Sequence, residues 1–348
     1  METLNRTLAM IKGMDEIAQR RCQEHLNNLT KPPGSLGKLE EVALKIAGIT
    51  GDAAFSTAVK EVILMAGDHG IVEEGVSAFP QEVTGQMVQN FINGGAAINV
   101  LSRQVGADIR LVDIGMIQDV EHPGLVRRKL MRGTNNFAHG PAMSRETAIE
   151  ALEVGISLAE DAAARGVNLL ATGEMGIGNT TPSSALLVAF TGISVAEAVG
   201  RGTGIDDNGL RLKTAAIEAG LAVNSPNPHD PLDVLAKVGG LEIAGLAGLI
   251  LGAAAQRIPI VIDGFISSAA ALTAARLCPA AVQYMLASHV SAEPGHRRTL
   301  EEIGIDPILY MNMRLGEGTG AVLVMHVIEA AEHILKEMAT FDDAGISH

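Results

Sequence analysis

Three glycine-rich segments set chemistry-bearing side chains at short spacing. In GEMGIGNTTPSSAL, residues 173–186, Gly176 and Gly178 allow a ligand close to the backbone, Thr181 can cap the next helix and Pro182 suits its first turn. The amides of such a helix start favour an anion such as phosphate, although the same residues also make an ordinary turn from strand to helix. In GRGTGIDDNGLRLKTA, residues 200–215, the Thr203 hydroxyl and the Lys213 cation can complete an anion site. The plainer alternative is a helix capped by Asp206 with Lys213 in solvent. MNMRLGEGTGA, residues 311–321, puts Arg314 three residues before Glu317. A cation to hold phosphate and a carboxylate to take a proton fit group transfer. A surface ion pair is the commoner meaning of that spacing, but glycines 316, 318 and 320 keep the loop open around the carboxylate.

Asp263 directly follows the apolar run PIVI, where a strand end presents catalytic or ribose-binding carboxylates; its alternative is to cap the helix FISSAAAL. Asp68 and His69 in GDHG stand at a similar strand end. The ten histidines form no HExxH pattern, and His289, Glu293 and His296 have the spacing of neither a helix face nor a zinc finger. No metal is expected.

Positioning these loops requires an alternation of strand, polar loop and helix. Residues 4–29 and the segment after the turn TKPPGSLG have helical spacing. Apolar strands are expected at Glu61–Ala66, Asp108–Ile114, Val167–Thr172, Pro259–Ile262 and Ala281–Ala287, with helices from Pro182 and over Gly320–Met338. The pattern predicts an α/β fold: a doubly wound, mostly parallel sheet, with ligands outside the carboxyl ends of its strands. A small helical domain is expected from the chain ends, residues 1–60 plus 328–348, beside a large catalytic domain at 61–327.

The 348 residues are 47% hydrophobic but only 3% aromatic, so the core is aliphatic and suits helices packed on a parallel sheet. A net charge of −14 and no long basic run argue against nucleic acid or an anionic membrane as partner. Cys22 and Cys278 are too few for a disulfide framework and read as reduced thiols. The amino terminus lacks a signal peptide, which points to the cytoplasm. Ile243–Ala255, 13 residues, falls short of the roughly 20 needed for a span, and reads as a buried helix.

Seven motifs, in order along nearly the whole chain, carry a resemblance: KPPGSLGKLE at 31–40, AGDHGI at 66–71, GEMGIGNTT at 173–181, GRGTGID at 200–206, IDGFIS at 262–267, SHVSAEPGH at 288–296 and MRLGEGTGA at 313–321. They resemble the nicotinate-nucleotide:dimethylbenzimidazole phosphoribosyltransferase family. The resemblance implies transfer of phosphoribose from nicotinate mononucleotide to 5,6-dimethylbenzimidazole or a related lower base in cobalamin nucleotide-loop assembly. Nicotinate leaves, α-ribazole 5′-phosphate forms, and C1′ inverts.

Residue by residue, the resemblance implies Glu317 as the catalytic base and Glu174 as a second carboxylate near the reacting ribose. Phosphate and ribose contacts would be Gly176, Asn179, Thr180, Gly202, Thr203, Lys213, Asp263, Ser291 and Arg314. Phe79, Pro80, Met87, Met175 and Leu315 would line an apolar slot for the base. The family varies at the positions of Phe79, Met87 and Met175, which leaves the preferred base open. No cofactor is implied: the leaving group departs from a cationic pyridinium and needs no acid, and the donor carries no pyrophosphate. A homodimer is implied. Two rivals remain, a noncatalytic nucleotide sensor and a nucleotide hydrolase. A sensor has no need of Glu317 facing an apolar slot, and an apolar slot does not suit attack by water.

Overall fold

The computed structural model describes residues 1–347. Side chains alternate across each strand, and both faces of the sheet are covered. β1 (Lys60–Gly67) sends Val62, Leu64 and Ala66 into one apolar cluster and Ile63 and Met65 into another. With β2 (Ala107–Gly115), β3 (Leu125–Arg127), β4 (Leu169–Met175), β5 (Ile260–Ile262) and β6 (Met285–Ala287) it forms a six-stranded parallel sheet, ordered β3-β2-β1-β4-β5-β6. Strands covered on both faces need no polar alternation, so VILMA at 62–66 and PIVI are continuous apolar runs.

One face packs against α1 (Glu2–Met10), α6 (Arg145–Ala164), α7 (Thr180–Thr191), α10 (Pro231–Val238), α11 (Leu241–Ala255) and α12 (Phe265–Leu277). The other packs against α2 (Glu16–Asn28), α3 (Lys38–Thr50), α4 (Val83–Ile92), α5 (Ala97–Val105) and α14 (Thr319–Glu337). Also present are α8 (Val195–Ala198), α9 (Asp207–Asn224), α13 (Pro294–Ile303), α15 (Phe341–Ala344) and a parallel pair, β7 (His289–Val290) with β8 (Leu309–Tyr310). α14 joins the sheet-face cluster that also holds Leu26 of α2 and Ile46 of α3, and Leu29 bridges to Thr340.

The chain lays β1, β2 and β3 outward in one direction, then returns across β1 to place β4, β5 and β6 on its other side. The direction of winding therefore switches between β1 and β4, which opens a crevice at their carboxyl ends.

Local differences from the sequence reading have physical causes. Residues 4–29 form two helices, because Asp15 ends the intervening turn by accepting from the amides of Ile17 and Ala18. β4 continues to Met175 in register with β1, Met65 opposite Glu174, so Glu174 sits on a strand rather than in the following loop. α7 starts at Thr180, ahead of the expected Thr181 cap, and the Thr181 hydroxyl is buried without a partner. Residues Pro279–Tyr284 form a tight 3-10 turn instead of the first part of a strand, and the Tyr284 hydroxyl donates to the Lys12 carbonyl at 2.8 Å. The apolar segment at 243–255 is the buried helix α11. Among the described residues no helix is long and apolar enough to cross a membrane.

Candidate active site

A cavity of about 460 Å³ lies at the ends of β4 and β5, with the start of α4 and the loop before it on one side. Glu317 and Glu174 set one edge of it. Glu317 is 5% exposed and has φ 64°, in the left-handed region that a non-glycine residue rarely adopts. Its Oε2 is buried with no hydrogen-bond partner. Burial raises its pKa; the Ile98 amide at the start of α5 opposes this, and the Asp263 charge adds to it. The result is a carboxylate of enhanced basicity with one oxygen free.

Glu174 accepts through Oε2 from the Asn179 amide group and through Oε1 from the Glu317 backbone at 3.4 Å. Burial pushes its pKa up to about 8, against the Asn179 hydrogen bond and with the help of the Asp263 and Glu242 charges. Gly176, two residues on, also lines the cavity. A Cβ there would come within 2.4 Å of the Gly67 carbonyl and 3.1 Å of His69 Nε2, so no side chain fits. His69 itself is buried and pairs with Glu242 of α11 at 2.7 Å, beneath the cavity floor.

The polar end of the cavity comes from the start of α7 and the loops before α7, α9, α13 and α14. Asn179, Thr180, Gly202, Thr203, Ser291 and Arg314 all face it. Lys213 does not reach the surface: it is fully buried under Gly202, donating to Thr180 Oγ1 at 2.7 Å and the Gly200 carbonyl at 3.1 Å. Gly202 has φ 51°, and a Cβ on it would stand 3.2 Å from Lys213 Nζ. Desolvation lowers the lysine pKa to about 8, with the Glu293 charge opposing. The Thr203 hydroxyl accepts from the Ala78 amide at 2.9 Å, which ties this end to the loop bearing Phe79. Asp206 caps α9 as the alternative sequence reading has it, but Lys213 is buried rather than solvated.

Ser291 is held from behind. Its amide donates to His296 Nδ1 at 2.8 Å, so the ring proton lies on Nε2, facing Ser268 Oγ at 2.9 Å. Burial holds the His296 pKa down to about 3, which keeps this ring neutral.

The apolar wall is formed by Phe79, Met87, Met175 and Leu315, joined by Val83 one turn before Met87 on α4. Phe79 and Leu315 are more than half exposed at the rim. Pro80 lies outside the wall, where its carbonyl accepts from the Val83 amide near the start of α4. Asp263 also lies outside it, buried behind the Glu317 loop. Arg314 is exposed and makes no ion pair with Glu317 among the described residues.

Sequence reasoning passed over Val83, although its helical spacing from Met87 signals it. It weighed His289 and Glu293 only as metal ligands, yet both face the cavity. Glu293 Oε2 is buried without a partner, and His289 Nδ1 lies 2.9 Å from Ser288 Oγ. No group of three or more potential ligands is arranged to hold a metal among the described residues.

Comparisons with known proteins show the family. A family profile described as phosphoribosyltransferase matches residues 11–346. A Geotalea uraniireducens (strain Rf4) protein named nicotinate-nucleotide–dimethylbenzimidazole phosphoribosyltransferase is 59% identical over 348 residues, 100% of this chain and 99% of the relative. A Chloroflexus aggregans (strain MD-66 / DSM 9485) protein of the same name is 57% identical over 100% of this chain and 99% of its own. The crystal structure of a Thermus thermophilus enzyme of that name superposes with a TM-score of 0.91 at 44% identity, covering 96% of this chain and 100% of that one. The chain belongs to the nicotinate-nucleotide–dimethylbenzimidazole phosphoribosyltransferase family.

Proposed function

We propose that the protein transfers the phosphoribosyl group of nicotinate mononucleotide to 5,6-dimethylbenzimidazole or a related lower base, forming α-ribazole 5′-phosphate and nicotinate. The observation that carries this reading is the free Oε2 of Glu317, buried where the apolar wall meets the polar end of the cavity. One benzimidazole nitrogen attacks C1′ as the proton on the other passes to Glu317. The electrons of the breaking glycosidic bond return to the pyridinium nitrogen, so nicotinate leaves without an acid. Attack opposite the leaving group inverts C1′. Glu174, near the reacting ribose at the same edge, retains its proton at neutral pH and acts through hydrogen bonds, accepting from Asn179 and from the Glu317 amide.

Phe79, Met87, Met175 and Leu315 receive the flat base, with Pro80 shaping the loop that presents Phe79. Gly176, Asn179, Thr180, Gly202, Thr203, Ser291 and Arg314 hold phosphate and ribose. Lys213 supplies the positive charge from beneath Gly202. The same reading includes a homodimer, for which the exposed Tyr310, Met311, Leu315 and Phe79 offer an apolar surface. It also includes a helical domain of residues 1–60 and 328–348 and a cytoplasmic location, with which the unpaired Cys22 and Cys278 are consistent.

The test is Glu317→Gln. Nucleotide affinity, read by calorimetry, should stay close to wild type while turnover drops by about 10²–10⁴-fold. Undiminished turnover removes Glu317 from the role of base.

A further inference from the structure

Asp263 stands where strand-end carboxylates commonly bind ribose, but both of its oxygens are already engaged. It is 1% exposed and absent from the cavity wall. Its Oδ2 accepts from the Gly318 amide at 3.0 Å and its Oδ1 from the Ala321 amide at 2.9 Å. Its own amide donates to Thr172 Oγ1 at 3.1 Å, and that hydroxyl donates in turn to the Val261 carbonyl at 3.3 Å. Two neighbouring strands thus fix the carboxylate and aim it at the first turn of α14.

That turn has no cap of its own. Its N-cap residue is Gly318, which has no side chain to accept from the free amides. Immediately before it, Gly316, Glu317 and Gly318 run through φ values of 86°, 64° and 93°. Glu317 is the only one of the three with a side chain to strain, and such a conformation persists only where its surroundings over-determine it.

We propose that Asp263 is a positioning residue for Glu317 and not a ligand of the nucleotide. It supplies from β5 the cap that α14 lacks, and by gripping Gly318 it holds Glu317 in the conformation that points its free oxygen into the cavity. This inference rests on Glu317 being the base. The charged and polar groups around Glu317 are Asp263 behind it, Glu174 on β4 with Oε1 3.4 Å from its amide, the Ile98 amide at the start of α5 and exposed Arg314 on its own loop. His289 on β7 faces Asp263 in turn.

Asp263→Asn keeps the shape, puts an N–H donor against a backbone N–H, and removes a negative charge. The measurement is the steady-state rate as a function of nucleotide concentration and pH, on wild type and variant. Misplacing the base should lower kcat by about 10–10²-fold. The nucleotide KM should stay within about twofold, since no ground-state contact is lost. With one negative charge fewer beside it, Glu317 ionises more readily, so the acid limb of the pH profile should move to lower pH. A purely structural defect would leave that limb in place. A large rise in KM at preserved kcat would make Asp263 a nucleotide ligand; unchanged kcat and an unmoved acid limb would remove the positioning role. If Asp263→Asn does not fold, Thr172→Val loosens the same carboxylate without changing charge. Its kcat should fall with KM held, and an unchanged kcat would overturn the proposal. Wild type inactive with every aromatic base would refute the proposed reaction; active wild type with an unaffected Asp263→Asn would refute this inference alone.

Discussion

Glu174 and Lys213 both sit in the interior in a state that costs stability, and each cost has a sign that can be measured. The folded-state pKa of Glu174 is raised from 4.5 to about 8. A raised value means its contribution to stability is fully present below the unfolded pKa and is lost as pH rises through about 8. Denaturant unfolding should therefore show wild type losing on the order of a few kcal/mol between about pH 5 and 8 relative to Glu174→Gln. Parallel pH profiles would deny the carboxyl its buried, proton-retaining state. Lys213 is displaced the other way, from 10.5 to about 8, so near neutral pH it is held charged in a buried site with only neutral acceptors at hydrogen-bond distance. Lys213→Met should raise the stability of the ligand-free protein by about 1–3 kcal/mol and weaken nucleotide binding by about 10–100-fold. Because the ammonium is buried, that loss of affinity should depend little on salt. A destabilised variant with normal affinity would contradict both halves of the argument. The sequence marked Lys213 as an anion ligand but gave no sign of its burial, since only the fold places Gly202 over it. It marked Asp263 as a strand-end carboxylate, yet its partners, Gly318 and Ala321, are more than fifty residues away in the chain.

Among the elements, one face of the sheet is covered by an unusually close helix pair. α6 and α11 touch through glycines: a Cβ on Gly155 would meet the Gly245 carbonyl oxygen at 1.8 Å, and one on Gly248 the Leu152 carbonyl oxygen at 1.9 Å. Backbone cannot yield as a flexible side chain can, so Gly155→Ala should cost about 1–3 kcal/mol and lower Tm in thermal unfolding. An unchanged Tm would mean that the pair is looser than described. The strands at 61–66 and 259–262 were legible because both their faces are buried and their apolar runs are nearly continuous, and the strand at 108–114 through Ile109, Leu111, Val112 and Ile114 despite the charges between them. The strand end at Gly173–Met175 was not, because glycine and glutamate read as loop until parallel pairing with β1 extends them. The three-residue edge strand β3 and the pair β7–β8 are too short for any period to register.

For the whole molecule, the double winding decides where the chemistry lies. That winding brings together Glu174 from a strand, Glu317 from the loop before α14, and an apolar wall from α4, its preceding loop, Met175 of β4 and Leu315. With a net charge of −14, the proposed nucleotide site would rely on local amides, hydroxyls and Lys213 rather than on a general basic field. The most direct measurement is of nicotinate release from nicotinate mononucleotide by the purified protein, followed by chromatography with and without 5,6-dimethylbenzimidazole. The account predicts nicotinate and α-ribazole 5′-phosphate in equal amounts, and only when the base is present. Nicotinate released at the same rate without base would make water the acceptor and the protein a hydrolase, and would contradict the account.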